Sequence, residues 1–287
     1  MPTTFLDGLP QTSTLAFGLL VLAACVAVAW LVAQPRWQRL WRARVAARPF
    51  PKAWRTILRR RVPLFQSLPA DLQMQLRQGI QVFIAEKPFI GCAGQTITDE
   101  VRVTIAAQAC LLLLNRPNHN FPNLRQILVY PTRFVVPRLH TDGAGISHQG
   151  SNVLSGESWS QGQVVLSWQD VLEGAAIPDD GHNVVLHEFA HQLDQEDGTA
   201  NGAPQLRAPQ DRSRWADVMQ REFDRLQQSA QQDAPTLLNP YGATNPAEFF
   251  AVATEVFFER PVLMAQEHPQ LYGELAQFYR TDPLHWH

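Results

Sequence analysis

Residues Asn183–Asp194, NVVLHEFAHQLD, decide the fold expected of this chain. Val184, Val185, Leu186, Phe189, Ala190 and Leu193 supply apolar faces at helical spacing, and Asp179 and Asp180 lie where they could cap a helix. Residues four apart share a helical face, so His187 and His191 can offer two imidazoles to one zinc ion. Glu188 sits about 100° further round, outside that ligand row but able to act as general base on a water at the metal. Nine His and twelve Glu in 287 residues predict roughly 0.01 chance occurrences of His-Glu-x-x-His. A fortuitous match explains little.

A catalytic zinc site usually has three protein ligands and one open position. Asp194 and Asp197 stand where the His-Glu-x-x-His-x-x-Gly-x-x-His class needs glycine and histidine, which excludes that class. Asp197 could still serve as a third ligand, although Asp194 in place of the turn glycine hinders the required chain reversal. The other route is a second helix, Asn245–Glu259 (NPAEFFAVATEVFFE), with Asn245 as cap and Pro246 in its first turn. Its Glu248, Glu255 and Glu259 are spaced by seven and four and fall on one face amid Phe and Val. A carboxylate row on an apolar helix predicts a buried partner. Glu248 also fits a capping box with Asn245, and spacing alone leaves Glu248 and Glu255 rivals for the metal. Asp194, one turn beyond His191, suits either an orienting partner for an imidazole or a solvated helix end.

Six segments in consistent order carry a resemblance: EKPFIG (Glu86–Gly91), TDE (Thr98–Glu100), IAAQAC (Ile105–Cys110), HEFAHQLD (His187–Asp194), YGATNPAEFF (Tyr241–Phe250) and FYRTDP (Phe278–Pro283). Together they resemble the Mlc titration factor A family of zinc-dependent peptidases, over roughly residues 60–287. The resemblance implies an α+β fold with a zincin-like catalytic domain, similar to gluzincins such as the anthrax lethal factor. It implies one zinc ion held by His187, His191 and Glu248, with Glu188 as catalytic acid/base and Tyr241 as active-site tyrosine. It further implies aminopeptidase activity on peptide or protein substrates. A transcriptional repressor is also implied as a partner, and on that alternative the protein is a tethered binding module whose zinc is mainly structural.

Upstream, Leu15–Ala33 (LAFGLLVLAACVAVAWLVA) contains no charge. Its nineteen residues make about 28 Å of helix, close to a bilayer core. No Lys or Arg precedes it, while Arg36, Arg39, Arg42, Arg44 and Arg48 follow. That asymmetry predicts a single-pass anchor, about residues 15–33, in a bacterial inner membrane with the rest of the chain in the cytoplasm. The missing basic start and the poor Ala33-Gln34-Pro35 junction argue against a cleaved signal. Residues 35–62 mix Trp37, Trp41 and Trp54 with basic side chains, as expected of a segment on anionic headgroups. The expected organisation is 1–34 for the anchor segment, 35–62 for the basic segment and 63–287 for the metallopeptidase domain.

The net charge of −2 conceals this division: residues 1–62 hold ten Lys/Arg against one Asp, and residues 63–287 hold fourteen against twenty-five acids. The basic part is explained by lipid and the domain is acidic, so no nucleic acid is expected as partner. Cys25, Cys92 and Cys110 form no Cys-x-x-Cys pair, which favours a reducing compartment. Within the domain a helix is expected from Thr98 to about Asn115, and another with a polar face over Arg212–Gln228. Gln126–Val136 and Gln163–Trp168 are expected as strands, and His140–Gly162 and Gln195–Gln210 as loops, the latter lying where it could shape a substrate entrance. The Gln163–Trp168 strand, QVVLSW, is also a candidate to pair with an extended peptide substrate.

Overall fold

A computed structural model describes residues 11–116, 120–141, 147–154, 156–159, 162–206 and 209–286. It divides into two compact units at Arg48/Pro49. The first is a single helix, α1 (Gln11–Ala46), 36 residues long and therefore about 54 Å. Within Ala16–Ala46 an 18-residue window has a mean hydropathy of 2.6 and is wholly unburied. Among the described residues this one helix is long and apolar enough to cross a membrane. It continues past the apolar stretch, through Pro35, and carries Arg36, Arg39, Arg42 and Arg44 on its later turns.

The second unit includes α2 (Lys52–Arg61) near its start. Leu58 is fully buried, and Trp54 Nε1 donates to Asp99 Oδ2 at 2.9 Å. Arg60 and Arg61 both donate to Glu100 Oε1, at 2.6 and 2.5 Å. The physical cause is amphipathicity: Trp54, Leu58 and Arg61 lie on one side of the helix and find apolar or acidic partners there.

The chain continues through α3 (Leu64–Ser67), α4 (Ala70–Glu86), β1 (Phe89–Gly91), α5 (Asp99–Leu111) and β2 (Gln126–Tyr130). Next come β3 (Phe134–Thr141), β4 (Ser147–Leu154), β5 (Gly156–Trp159), β6 (Gln163–Ser167), α6 (Trp168–Ala176) and α7 (Val184–Asp194). The last helices are α8 (Pro209–Gln231), α9 (Pro246–Glu259), α10 (Pro261–Glu267) and α11 (Pro269–Tyr279). Helices dominate. The main sheet has the order β1-β2-β6-β5, with β1, β2 and β6 parallel and β5 antiparallel at the edge.

Thr98 Oγ1 caps α5 by accepting from Val101 N at 3.3 Å, but the helix ends at Leu111 rather than near Asn115. The expected strand Gln126–Val136 breaks at Pro131–Arg133 into β2 and β3, since proline supplies no N–H to a ladder. The expected loop His140–Gly162 instead holds a β3-β4 hairpin, registered from Phe134 opposite Leu154 to Thr141 opposite Ser147, followed by β5. Gly, Ser and Asn lower strand propensity, yet a long antiparallel ladder satisfies the backbone whatever the side chains are. In QVVLSW the strand ends at Ser167, whose Oγ accepts from Asp170 N at 3.3 Å to start α6. That strand is hydrogen-bonded on both edges, to β2 and β5, so it cannot add a further strand; the outer strands of this sheet are β1 and β5.

α7 contacts β5 and β6 of the sheet as well as α5, α6 and α9. Phe189 packs into a ring cluster with Phe83 and Phe121, at centroid distances of 5.7 and 4.8 Å. Deleting such a buried ring costs about 3–5 kcal/mol. α9 is held from behind by Trp215 and Phe278 around Phe250 and by Thr254 Oγ1 bonded to Tyr279 OH at 2.8 Å. Both helices that carry the polar motif are thus fixed by apolar packing on their other faces.

Candidate metal centre

Each of the two helices starts on an asparagine. Asn183 Oδ1 accepts from Val185 N and Leu186 N at 3.1 and 3.0 Å, and so caps α7. Asp180, expected in that role, instead accepts from His182 N at 2.8 Å, before the helix begins. The signal was legible, since Asn directly ahead of an apolar run is itself a strong cap. At α9, Asn245 Oδ1 accepts from Glu248 N at 3.0 Å. The Glu248 carboxylate does not return to Asn245: its Oε2 lies 3.0 Å from His187 Nε2 and 3.3 Å from His191 Nε2.

His187, His191 and Glu248 therefore bring one donor atom each to a common point, all within 4.8 Å of one another. Two imidazoles and a carboxylate form a donor set that suits a divalent metal ion. Glu255 occupies a different place, with Oε1 at 2.7 Å from His187 Nδ1 and Oε2 accepting from Asn183 N at 2.6 Å. Glu259 accepts from Asn183 Nδ2 at 2.9 Å and from Gly181 N at 3.1 Å. The buried partner of the α9 carboxylate row is thus the N-terminus of α7, where exposed N–H groups favour negative charge. The Asn183–Glu259 pair was not foreseen.

Glu188 is 5% exposed, and its Oε2 has no hydrogen-bond partner. An orphaned buried carboxylate oxygen beside three convergent donors is what a site built for a metal and a water would leave. Tyr241 lies on the turn Pro240–Ala243, is 52% exposed, and has its ring centroid 6.1 Å from that of His187. Asp197 is exposed and turned away, accepting from Thr199 N at 3.1 Å. Among the described residues it takes no part in the donor cluster.

The profile of the glucose-regulated metallo-peptidase M90 family matches residues 36–280. The chain belongs to that family. An uncharacterized protein of Synechocystis sp. is 40% identical over 270 residues, covering 94% of this chain and 98% of that protein. Mlc titration factor A of Yersinia pestis is 32% identical over 248 residues, covering 85% of this chain and 90% of the relative. Membership of a metallopeptidase family accords with a donor cluster on adjacent helices, and the M90 match includes both α7 and α9.

In this M90 chain Asp194 is neither solvated nor turned to an imidazole. It is fully buried, and its Oδ2 accepts from Gly202 N at 2.8 Å. Trp215 Nε1 donates to Gly202 O at 3.0 Å. Gly202 has φ +73, and a Cβ there would meet the Pro246 carbonyl oxygen at 2.4 Å, so only glycine fits. One residue thereby ties the end of α7 to α8 and to the first turn of α9. The loop around it also walls a cavity of about 520 Å³ lined by Leu206, Trp215, Met219, Phe223 and Phe249.

Burial opposes a charged His187, but the hydrogen bonds it donates to Glu248 and Glu255 outweigh it and hold the imidazole pKa well above its usual value. Burial also acts on Glu248, yet hydrogen bonds to His187 and His191 keep that carboxyl well below the ordinary range. Burial pushes Glu188 up to about 7, Asp194 to about 6 and Glu259 to about 8. A raised folded-state pKa means that the folded chain holds more protons than the unfolded one, so stability falls as pH rises through the shifted range. Metal-depleted protein is therefore expected to unfold at lower urea concentration at pH 8 than at pH 5, and the loss is recovered on adding metal at pH 8. A flat or rising stability between those pH values would contradict the buried-proton account.

The Glu255 contact also makes a prediction. Glu255→Gln is expected to weaken metal binding about ten- to a hundredfold by loosening the orientation and basicity of His187. Competition with a chelating dye measures it, and unchanged affinity would reduce the contact to packing.

Proposed function

We propose that this chain is a membrane-anchored, zinc-dependent metallopeptidase with a zincin-like catalytic domain, acting as an aminopeptidase on peptides or proteins. The observation that carries the reading is the convergence of His187, His191 and Glu248 beside the unpartnered Glu188 carboxylate. His187, His191 and Glu248 hold the zinc. When bound, zinc supplies Lewis acidity to the scissile carbonyl and to a nearby water. Glu188 takes a proton from the attacking water as the C–O bond forms, and delivers it to the amine as the C–N bond breaks. Tyr241, on its exposed turn, donates a hydrogen bond to the developing oxyanion. An extended substrate pairs with the free edge of β5, not with β6.

α1 is the anchor, with Arg36 and the following arginines on the cytoplasmic side of a bacterial inner membrane. In support, the match to the Synechocystis protein covers too much of this chain to leave the whole of α1 outside it. The test is zinc analysis combined with a peptide-library cleavage profile. Stoichiometric zinc and release of N-terminal residues, abolished by chelation, are expected. Purely internal cleavage would overturn the aminopeptidase assignment, and no cleavage by zinc-loaded protein would overturn the enzyme. A second reading comes from the name of the Yersinia relative, Mlc titration factor A: the domain holds a transcriptional repressor at the membrane, with zinc mainly structural.

A further inference from the structure

The basic run before Val62 is sorted by the fold into two populations. Arg60 and Arg61 pair with Glu100, Arg60 while still exposed; Lys52, Arg55 and Arg59 are exposed as well. At 100° per residue these three fall within a 60° sector of α2 centred about 90° round from buried Leu58. No acidic residue occurs between Asp7 and Asp71, so nothing local neutralises them in sequence. From Pro63 onward the domain holds fourteen Lys/Arg against twenty-five acids. An anionic surface therefore attracts α2 and repels most of the acidic remainder of the domain, which orients the domain as well as binding it.

We propose that the outward face of α2, through Lys52, Arg55 and Arg59, docks the catalytic domain on anionic lipid headgroups, as a contact additional to the α1 anchor. The proposal rests on the membrane-anchored reading above. At the usual strength of a basic side chain near an anionic leaflet, three such residues shift the docked-to-undocked ratio by on the order of a hundredfold.

The test uses the full chain reconstituted into vesicles of phosphatidylcholine, with or without 30% phosphatidylglycerol. An environment-sensitive fluorophore is placed by Thr56→Cys on the exposed face, with Cys25→Ser and Cys92→Ser removing the accessible thiols; Cys110 is buried. A blue-shifted, quencher-protected signal is expected with phosphatidylglycerol at low salt, and its loss in 0.5 M NaCl. Lys52→Glu/Arg55→Glu/Arg59→Glu is expected to abolish it, and the corresponding Gln triple variant to reduce it, both with unchanged circular dichroism. Equal signals in the two vesicle types, or a signal indifferent to charge reversal, would overturn docking while the anchor stands. A chain that fails to float with either vesicle type would overturn the anchor, and the proposal with it.

Discussion

Glu188→Gln is expected to keep its metal and to lose about a hundred- to ten-thousandfold in kcat, the usual contribution of a positioned proton-transfer group. Gln preserves the volume of a side chain that is 5% exposed, and it can still hydrogen-bond, but it cannot carry the proton. Neither the His187–Glu248 nor the His191–Glu248 contact involves residue 188. Zinc content and turnover of a peptide from the cleavage profile, measured on the same preparation, decide the matter. Full activity would remove Glu188 from the chemistry, and loss of zinc would put it in the ligand set. If a cellular regulatory effect persists in Glu188→Gln while hydrolysis is lost, repressor binding is the physiological role.

Glu248→Ala is expected to lose both zinc and activity, with a fall in affinity beyond the ten- to hundredfold assigned to Glu255→Gln. The substitution is clean for a structural reason. Asn245 caps α9 through the backbone N–H of residue 248, so the cap survives removal of the side chain. Phe249 and Phe250, fully or nearly buried, continue to hold the helix. Zinc retained at full affinity would sink the third-ligand assignment and return Glu255 to contention.

Much of this centre is legible from spacing. His187 and His191 share a face because a helix repeats every 3.6 residues, and Glu248, Glu255 and Glu259 share one for the same reason. Spacing could not say which carboxylate meets which nitrogen. That depends on how far α9 is slid along α7, and the slide is set by contacts distant in sequence: Asn183 between Glu255 and Glu259, and Gly202 between Asp194 and the Pro246 carbonyl. The β3-β4 hairpin was hidden for a related reason, since its Gly- and Ser-rich strand is stabilised by a partner ladder rather than by its own propensity. β6 is unavailable for strand addition because it is paired on both sides, and sheet order is a property of pairing, not of composition.

The chain taken alone determines what local periodicity and charge can encode: a long uncharged helix followed by arginines, a histidine pair with an adjacent glutamate, and a second helix bearing a carboxylate row. Tertiary structure decided which of those charges are spent on each other. It paired Arg60 and Arg61 with Glu100 and left Lys52, Arg55 and Arg59 exposed. It gave Glu248 to the Nε2 side of His187 and Glu255 to the Nδ1 side. Hydrogen bonds and ion pairs act over about 3 Å, a distance that only packing between remote segments can set.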